Sequence, residues 1–276
     1  MKKFKINFGN DISSEVEENV YKYIVNLLEL NKSPRSLPPF FNLSNLIKKY
    51  DQELLDFYRF IFANSSTSKS QLFQDLFVLF ILKEKRNGTF LEFGATNGIE
   101  LSNSFLLESN FGWKGLLAEP SPQWIGKLKQ NRPKSEILDK CIYSESGKNI
   151  DFFVSDVGVL STIDEFRNSD ISSMPGNTKA RNANGHTLKV PTISLNDVFK
   201  NHLDDQRIDY MSVDTEGSEF LILENFNFKK YAPKVVTVEH NFTNNNEKLN
   251  NLFKENNYTR FFSDQSEFDA WYVRND

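Results

Sequence analysis

The amino-acid sequence predicts an α/β protein, an open and mostly parallel sheet with helices on both faces, preceded by a helical N-terminal segment. Two observations lead there. From residue 71 onward, short apolar runs of strand length alternate with segments of helical period, the mark of successive βα units. Before residue 65 the apolar positions instead recur three and four residues apart. The Ser/Thr/Asn-rich stretch 63–70 divides the chain into a helical segment, residues 1–65, and a second domain, residues 66–276.

Within the first segment, Ser14-Glu15-Val16-Glu17 fits a capping box, and Val16, Val20, Ile24, Leu27 and Leu28 follow at helical spacing. Three prolines between 32 and 39 end that helix, and a second amphipathic pattern runs through Leu46, Ile47, Tyr50, Leu54, Phe57, Tyr58 and Ile61. Such a segment reads as a packing appendage or a surface for homo-oligomerisation. The second domain opens with a helix over 71–85 and a strand over 89–93. A helix over 101–110, a strand over 115–119, a helix over 122–131 and strands over 136–143 and 149–154 follow. A long polar stretch with Gly and Pro occupies 155–187. Beyond it come a helix over 195–203, a buried strand over 208–214, a helix over 218–225, a strand over 234–239 and a helix over 246–256. Strands over 258–262 and 268–274 close the chain as a hairpin. Ligands of such sheets bind beyond the carboxyl ends of the strands, which places function just after Phe93, Glu119, Asp214 and Glu239.

Composition narrows the classes. Thirty-three Lys and Arg against 37 Asp and Glu give a net charge of −4, against the basic face of a nucleic-acid binder. One cysteine cannot form an intramolecular disulfide, so nothing indicates an oxidising compartment. The basic N-terminus has no apolar core of the signal-peptide kind, and the densest apolar run, 76–82, is far short of the roughly 20 residues of a membrane span. A cytoplasmic protein with no membrane span is the expectation.

Four strand ends carry chemistry. Phe93-Gly94-Ala95-Thr96-Asn97-Gly98 is a strand running into a glycine turn, where glycine permits positive φ and close approach of a ligand. It lacks the G-x-G-x-x-G spacing of a dinucleotide site. Glu119-Pro120 ends the next strand, and a carboxylate there can accept both hydroxyls of a ribose. Asp214-Thr215-Glu216-Gly217-Ser218-Glu219 places one carboxylate at the mouth of the cleft and two around a helix start, where the dipole alone would account for Glu219. Glu239-His240-Asn241 ends the fifth strand with one of only three histidines.

Together with Ser70-Gln71, Gln74-Asp75, Leu101-Ser102-Asn103-Ser104 and Gly112-Trp113-Lys114-Gly115, these blocks resemble the FkbM family of S-adenosylmethionine-dependent methyltransferases over about 70–273. Where that family has Gly-Ala-Asn-Asp-Gly, this chain has Gly-Ala-Thr-Asn-Gly, so neutral Asn97 stands in place of an acid. The resemblance implies a seven-stranded, Rossmann-like class I methyltransferase sheet with the last strand antiparallel. It further implies methyl transfer from S-adenosyl-L-methionine to a sugar hydroxyl of a surface polysaccharide, glycan or nucleotide-linked sugar, the carbohydrate acceptor being the partner.

On this reading Gln71, Asp75, Glu92, Gly94, Ala95, Asn97, Gly98, Ser102, Glu119, Pro120 and Asp214 bind the cofactor, and Asp214, Glu216, Glu239 and His240 carry the chemistry. His240 or Glu239 would take the hydroxyl proton. The less favoured alternative is a divalent cation held by Asp214, Glu239 and His240 or Asn241. The stretch 155–187 would cover the cleft and offer Arg167, Lys179, Arg181 and His186 to an anionic acceptor. Two rivals stand beside this reading: a non-catalytic cofactor- or glycan-binding domain of the same fold, and a nicotinamide-dependent oxidoreductase.

Overall fold

A computed structural model of the chain describes residues 3–7, 13–17 and 52–276. It divides into two compact units, Met1–Phe60 and Ile61–Asp276. In the first, β1 (Lys3–Asn7) pairs antiparallel with β2 (Ser13–Glu17), Phe4 opposite Val16 and Ile6 opposite Ser14. Ser14 to Glu17 therefore does not start a helix. The sequence Lys3-Phe4-Lys5-Ile6-Asn7 alternates with period two, and its pairing partner outcompetes the local capping signal. The rest of the helix expected after Val16 lies outside the described residues, as does the second pattern before residue 52. Its later part is helix α1 (Gln52–Asn64), on which Leu54, Phe57, Tyr58 and Ile61 are buried.

The second unit continues through α2 (Gln74–Ile81), β3 (Thr89–Phe93), α3 (Phe105–Phe111), β4 (Lys114–Ala118), α4 (Pro122–Asn131), β5 (Glu136–Leu138), β6 (Cys141–Tyr143), β7 (Asn149–Ser155) and β8 (Thr162–Ile163). Then follow α5 (Pro175–Ala183), β9 (Gly185–Ser194), α6 (Leu195–His202), β10 (Tyr210–Val213), α7 (Glu219–Leu223), β11 (Val235–Glu239), α8 (Asn245–Glu255), β12 (Tyr258–Phe261) and β13 (Asp269–Arg274).

Seven strands form the main sheet in the order β12-β13-β11-β10-β3-β4-β5. β5, β4, β3, β10 and β11 run parallel, and β13 alone is antiparallel to its neighbours β11 and β12. This is the seven-stranded, Rossmann-like arrangement expected above, closed by the expected hairpin. β10 and β11 are buried along their whole length, as parallel strands covered on both faces must be. Their apolar side chains join Leu91, Leu116, Phe199, Leu223, Leu249 and Phe253 in one core.

The middle of the chain departs from expectation. The strand read over 136–143 breaks at Asp139 and Lys140, leaving β5 in the main sheet and sending β6 into a second sheet of order β6-β9-β7-β8. The polar stretch 155–187 is ordered, with 3₁₀ turns at Gly158–Leu160 and Asp164–Phe166, strand β8 and helix α5. Periodicity alone overlooks β9, whose Pro191 argues against an interior strand. Pro191 sits opposite Asn149, the first residue of β7, at the end of their ladder. Among the described residues no helix is long and apolar enough to cross a membrane.

Candidate functional site

The carboxyl ends of β3, β4, β10 and β11 open into a cleft of about 390 Å³, walled on its far side by the segment between β7 and α5. At the end of β3 the chain turns through Gly94, whose φ is 80°. A Cβ there would stand 1.9 Å from the carbonyl oxygen of Asp214. Only glycine lets the ends of β3 and β10 approach this closely. The amides of Gly94 and Ala95 both donate to the carbonyl of Ala118, at 3.1 and 3.3 Å, and tie the turn to β4.

Two acids on this side are anchored by donors on both oxygens. Glu119 accepts from the Thr96 amide at 2.9 Å and the Ser121 amide at 2.8 Å, one bond on each oxygen. Its burial pushes its pKa up to about 7. Glu92 accepts from Ser102 Oγ at 3.0 Å, from the Asn103 amide at 2.8 Å and from Ser104 Oγ, fixing the segment that leads into α3. Arg132, which the motifs did not single out, braces the same segment. It donates to Gly98 O at 3.0 Å, Ser102 Oγ at 3.2 Å and Ser104 Oγ at 3.0 Å, and pairs with Glu108 at 2.8 Å.

The opposite side is built differently. One carboxylate oxygen from each of Asp214, Glu216 and Glu239 lies within 4.8 Å of the others. Burial and mutual repulsion raise the pKa of Asp214 and of Glu239 well above the usual carboxylate range. Glu216 is pushed up to about 7 by burial, although Arg181 opposes the shift. The Arg181 guanidinium is itself buried, 2.6 Å from Glu216 and 2.7 Å from Asp170, and it also donates to Leu160 O at 2.9 Å and Arg167 O at 3.0 Å. Glu239 Oε2 is buried without a hydrogen-bond partner, and so is Oδ1 of Asn103, whose Nδ2 donates to Ser212 Oγ at 2.9 Å. Asn103 is the residue that sequence reasoning left out of the site; its only signal was membership of the Leu101-Ser102-Asn103-Ser104 block.

Of the residues expected in the site, Gln71, Glu92, Gly94, Ala95, Ser102, Glu119, Pro120, Asp214, Glu216 and Glu239 line this one cleft. Four do not. Asp75 is buried under Ser68 Oγ at 2.6 Å and the Lys69 amide at 3.2 Å, so it fixes the turn before α2 rather than closing over a ligand. Asn97 accepts from the amides of Ile99 and Glu100, both at 2.9 Å, and is spent on its own turn, a role that an acid or an amide fills equally. At Gly98 a Cβ would meet Leu128 at 2.6 Å and Arg132 at 2.7 Å, so this glycine serves the packing of α4.

The fourth correction is His240. Its Nδ1 accepts from the Phe242 amide at 3.0 Å and its Nε2 faces Asp269 O at 3.0 Å, so both nitrogens are held by main chain. Burial and the nearby Arg260 push its pKa down to about 4. Near neutral pH it is a neutral ring whose Nδ1 lone pair is engaged by the Phe242 amide. The cationic groups expected over the cleft are also spoken for in part: Arg181 is consumed by Asp170 and Glu216, and Arg167 lies over the Phe153 ring at 3.6 Å. The segment does wall the cleft, through Val157, Val159, Leu160 and Met174, and these contribute apolar surface.

A family model described as the methyltransferase FkbM domain matches residues 92–269. No curated protein matches the chain. Among solved structures the chain is similar to a methyltransferase FkbM from Methylobacillus flagellatus KT, with 8% identity and a TM-score of 0.42, covering 83% of this chain and 60% of that one. It is also similar to a precorrin-6y C5,15-methyltransferase from Geobacter metallireducens GS-15, with 11% identity and a TM-score of 0.37, covering 67% and 71%. A TehB-like SAM-dependent methyltransferase from Corynebacterium glutamicum is 10% identical with a TM-score of 0.37, covering 82% of this chain and all of that one at 100%.

Proposed function

The chain belongs to the methyltransferase FkbM domain family, and from that premise we propose that it is an S-adenosylmethionine-dependent O-methyltransferase acting on a sugar hydroxyl in the cytoplasm. The observation that carries the reading is the division of one cleft into a side whose acids are anchored by donors on both oxygens and a side with an unpartnered buried acid. Glu119, with each oxygen anchored by one backbone amide, keeps lone pairs for the two hydroxyls of a ribose. Gly94 and Ala95 give the methionine portion a wall without side-chain bulk. The orphaned Oδ1 of Asn103 is a buried acceptor that suits an ammonium or hydroxyl donor. The residues present therefore fit the cofactor.

When bound, S-adenosylmethionine supplies a methyl group on a sulfonium, whose sulfur keeps the bonding pair as the carbon passes to the attacking oxygen. The protein's part is alignment, which at best contributes roughly 7–11 kcal/mol, and handling of one proton. Asp214 and Glu239 stand close together, and burial with repulsion from neighbouring acids makes each carboxylate a stronger base than usual. In its ionised form Glu239 takes the proton of the acceptor hydroxyl as that oxygen attacks, at Oε2, which has no other partner. Glu216 acts through Arg181 to hold the wall of the cleft against the turn after β10. Residues 1–65 are assigned to packing or homo-oligomerisation.

The test is calorimetry with S-adenosylhomocysteine and with NAD, followed by a screen of labelled methyl transfer to nucleotide-linked sugars and oligosaccharides. Binding of the homocysteine compound and labelling of at least one sugar are expected. Binding of NAD alone would return the oxidoreductase, and binding without transfer to any sugar would leave a cofactor-binding domain.

A further inference from the structure

A second hollow of about 270 Å³ lies between the 3₁₀ turn at Asp164–Phe166 and the start of α8. The turn from β10 to α7 is the partition between it and the large cleft: Glu216 and Ser218 face the cleft, Gly217 and Glu219 face the hollow. Asn241 lines both. Resting on the methyl-transfer reading above, we infer that this hollow is the acceptor subsite and that it takes an uncharged, polyhydroxylated ring, a single neutral sugar unit, with Asn241, which lines both cavities, at the boundary with the transfer cleft.

The chemistry of the lining selects that ligand. Ser169, Asn241, Thr243 and Asn245 offer hydroxyls and carboxamides, groups that both donate and accept, as sugar hydroxyls do. Phe166 adds an aromatic wall. No Lys or Arg is among the lining residues, and the one carboxylate, Glu219, has an oxygen facing the Thr215 and Gly217 amides at 2.9 and 3.0 Å. A phosphate or carboxylate would meet a negative group and no cation there, so an anionic ring is disfavoured. The volume lies just under the roughly 300–1,000 Å³ of drug-sized sites, the scale of one ring and not of a chain.

The backbone is shaped for the purpose. Asn241 and Phe242 are consecutive non-glycine residues in the left-handed region, with φ of 46° and 55°, a strained conformation that persists only when the surroundings impose it. His240 imposes it by accepting the Phe242 amide while its other nitrogen is held at Asp269 O. Asn241, only 5% exposed, is thereby turned towards the two cavities. At Gly217 a Cβ would stand 2.4 Å from Ser169 Oγ, so glycine is what lets the far wall approach and close the hollow. The Glu-His-Asn sequence at the end of β11 thus has one use for each residue: proton acceptor, brace and selector.

The experiment is saturation-transfer NMR on the full chain, with and without S-adenosylhomocysteine, using a panel of neutral monosaccharides and disaccharides, with inorganic phosphate as competitor. Ser169→Trp and Asn245→Trp each fill the hollow from a position outside the large cleft; melting temperatures report that both fold. At least one neutral sugar is expected to bind, with affinity falling tenfold or more in both variants, unchanged binding of S-adenosylhomocysteine and no competition by phosphate. Failure of every neutral sugar, binding undiminished in both variants, or competition by phosphate overturns the subsite. Failure of the wild type to bind S-adenosylhomocysteine would instead sink the methyl-transfer reading, and the sugar measurements without that compound keep the two failures distinguishable.

Discussion

The two halves of the cleft handle the same chemical group in opposite ways. Beyond β3 and β4, Glu92 and Glu119 are surrounded by donors, three on the first and two on the second. Beyond β10 and β11, Asp214 and Glu239 face each other, and one oxygen of Glu239 has no partner at all. A carboxylate anchored by a donor on each oxygen is fixed in place, and its remaining lone pairs are predisposed to hold a ligand of constant shape. A crowded and unsatisfied one is held away from its own optimum, and such groups cluster where charge or protons move. On the function proposed above, the difference separates a binding half from a chemical half within 390 Å³.

The strongest way to break that comparison is Glu239→Gln. Removing the proton acceptor is expected to lower kcat by about 10²–10⁴, the usual range for a general base, while calorimetry finds the affinity for S-adenosylhomocysteine within a few-fold of wild type. An unchanged kcat would place the proton elsewhere.

Arg181→Met attacks the support of the chemical half. It leaves the buried carboxylates of Asp170 and Glu216 without their cation, and stability should fall by about 3–5 kcal/mol. The sign with pH is fixed by Glu216, whose pKa rises from 4.5 unfolded to about 7 folded and would rise further without Arg181. Both proteins carry the cost of a raised acid above its unfolded value, and the two diverge only as pH rises past the wild-type value of about 7, so the Glu216 part of the loss should be small near pH 4.5 and grow above pH 7. Urea melts below and above pH 7 measure it; a loss independent of pH would show that packing, not charge, is what Arg181 provides.

In the binding half, Glu119→Ala should weaken S-adenosylhomocysteine by about 1.5–3 kcal/mol, roughly 10- to 150-fold, with kcat at saturating cofactor little changed. Hydroxyls donating to Glu119 favour its ionised form. Because its pKa lies at about 7, wild type should release a fraction of a proton on binding at pH 7, read from calorimetry in buffers of different ionisation enthalpy. The variant should release none through this group. The smallest effect is expected from exhaustive EDTA treatment, which should leave turnover in place; loss of activity restored by magnesium would turn the trio of carboxylates into a cation site.

The sheet was legible because its signals are local. Strands such as Thr89–Phe93 and Val235–Glu239 are apolar runs that end in glycine or acid, and period and punctuation suffice to read them. For the same reason Gly94, Glu119, Asp214 and Glu239 could be placed at one edge from the sequence, since parallel strands deliver their carboxyl ends to the same side. Harder to read were elements whose conformation depends on a distant partner. β9 contains Pro191 and is made a strand by β7 and β6. Residues 13–17 carry a capping signal and pair with 3–7 instead.

Sequence by itself determined the order of the strands' chemistry, the family and most of the acids that meet in the cleft, because these follow from residue type and spacing along one chain. Only the tertiary structure decided what each polar group is free to do. His240 looks reactive in the sequence and Asp75 looks like a cofactor contact, yet His240 is held by main chain and Asp75 by Ser68 Oγ and the Lys69 amide. Arg181 looks like a free cation, yet it lies between two buried carboxylates from other segments. Glu239 looks like its neighbours, yet it alone among the cleft's acids has an oxygen left buried and unpaired among the described residues. Whether a donor or acceptor is already satisfied is a matter of what stands within about 3 Å of it, and the groups that stand there come from parts of the chain as far apart as Thr96 and Glu119, or Arg181 and Glu216.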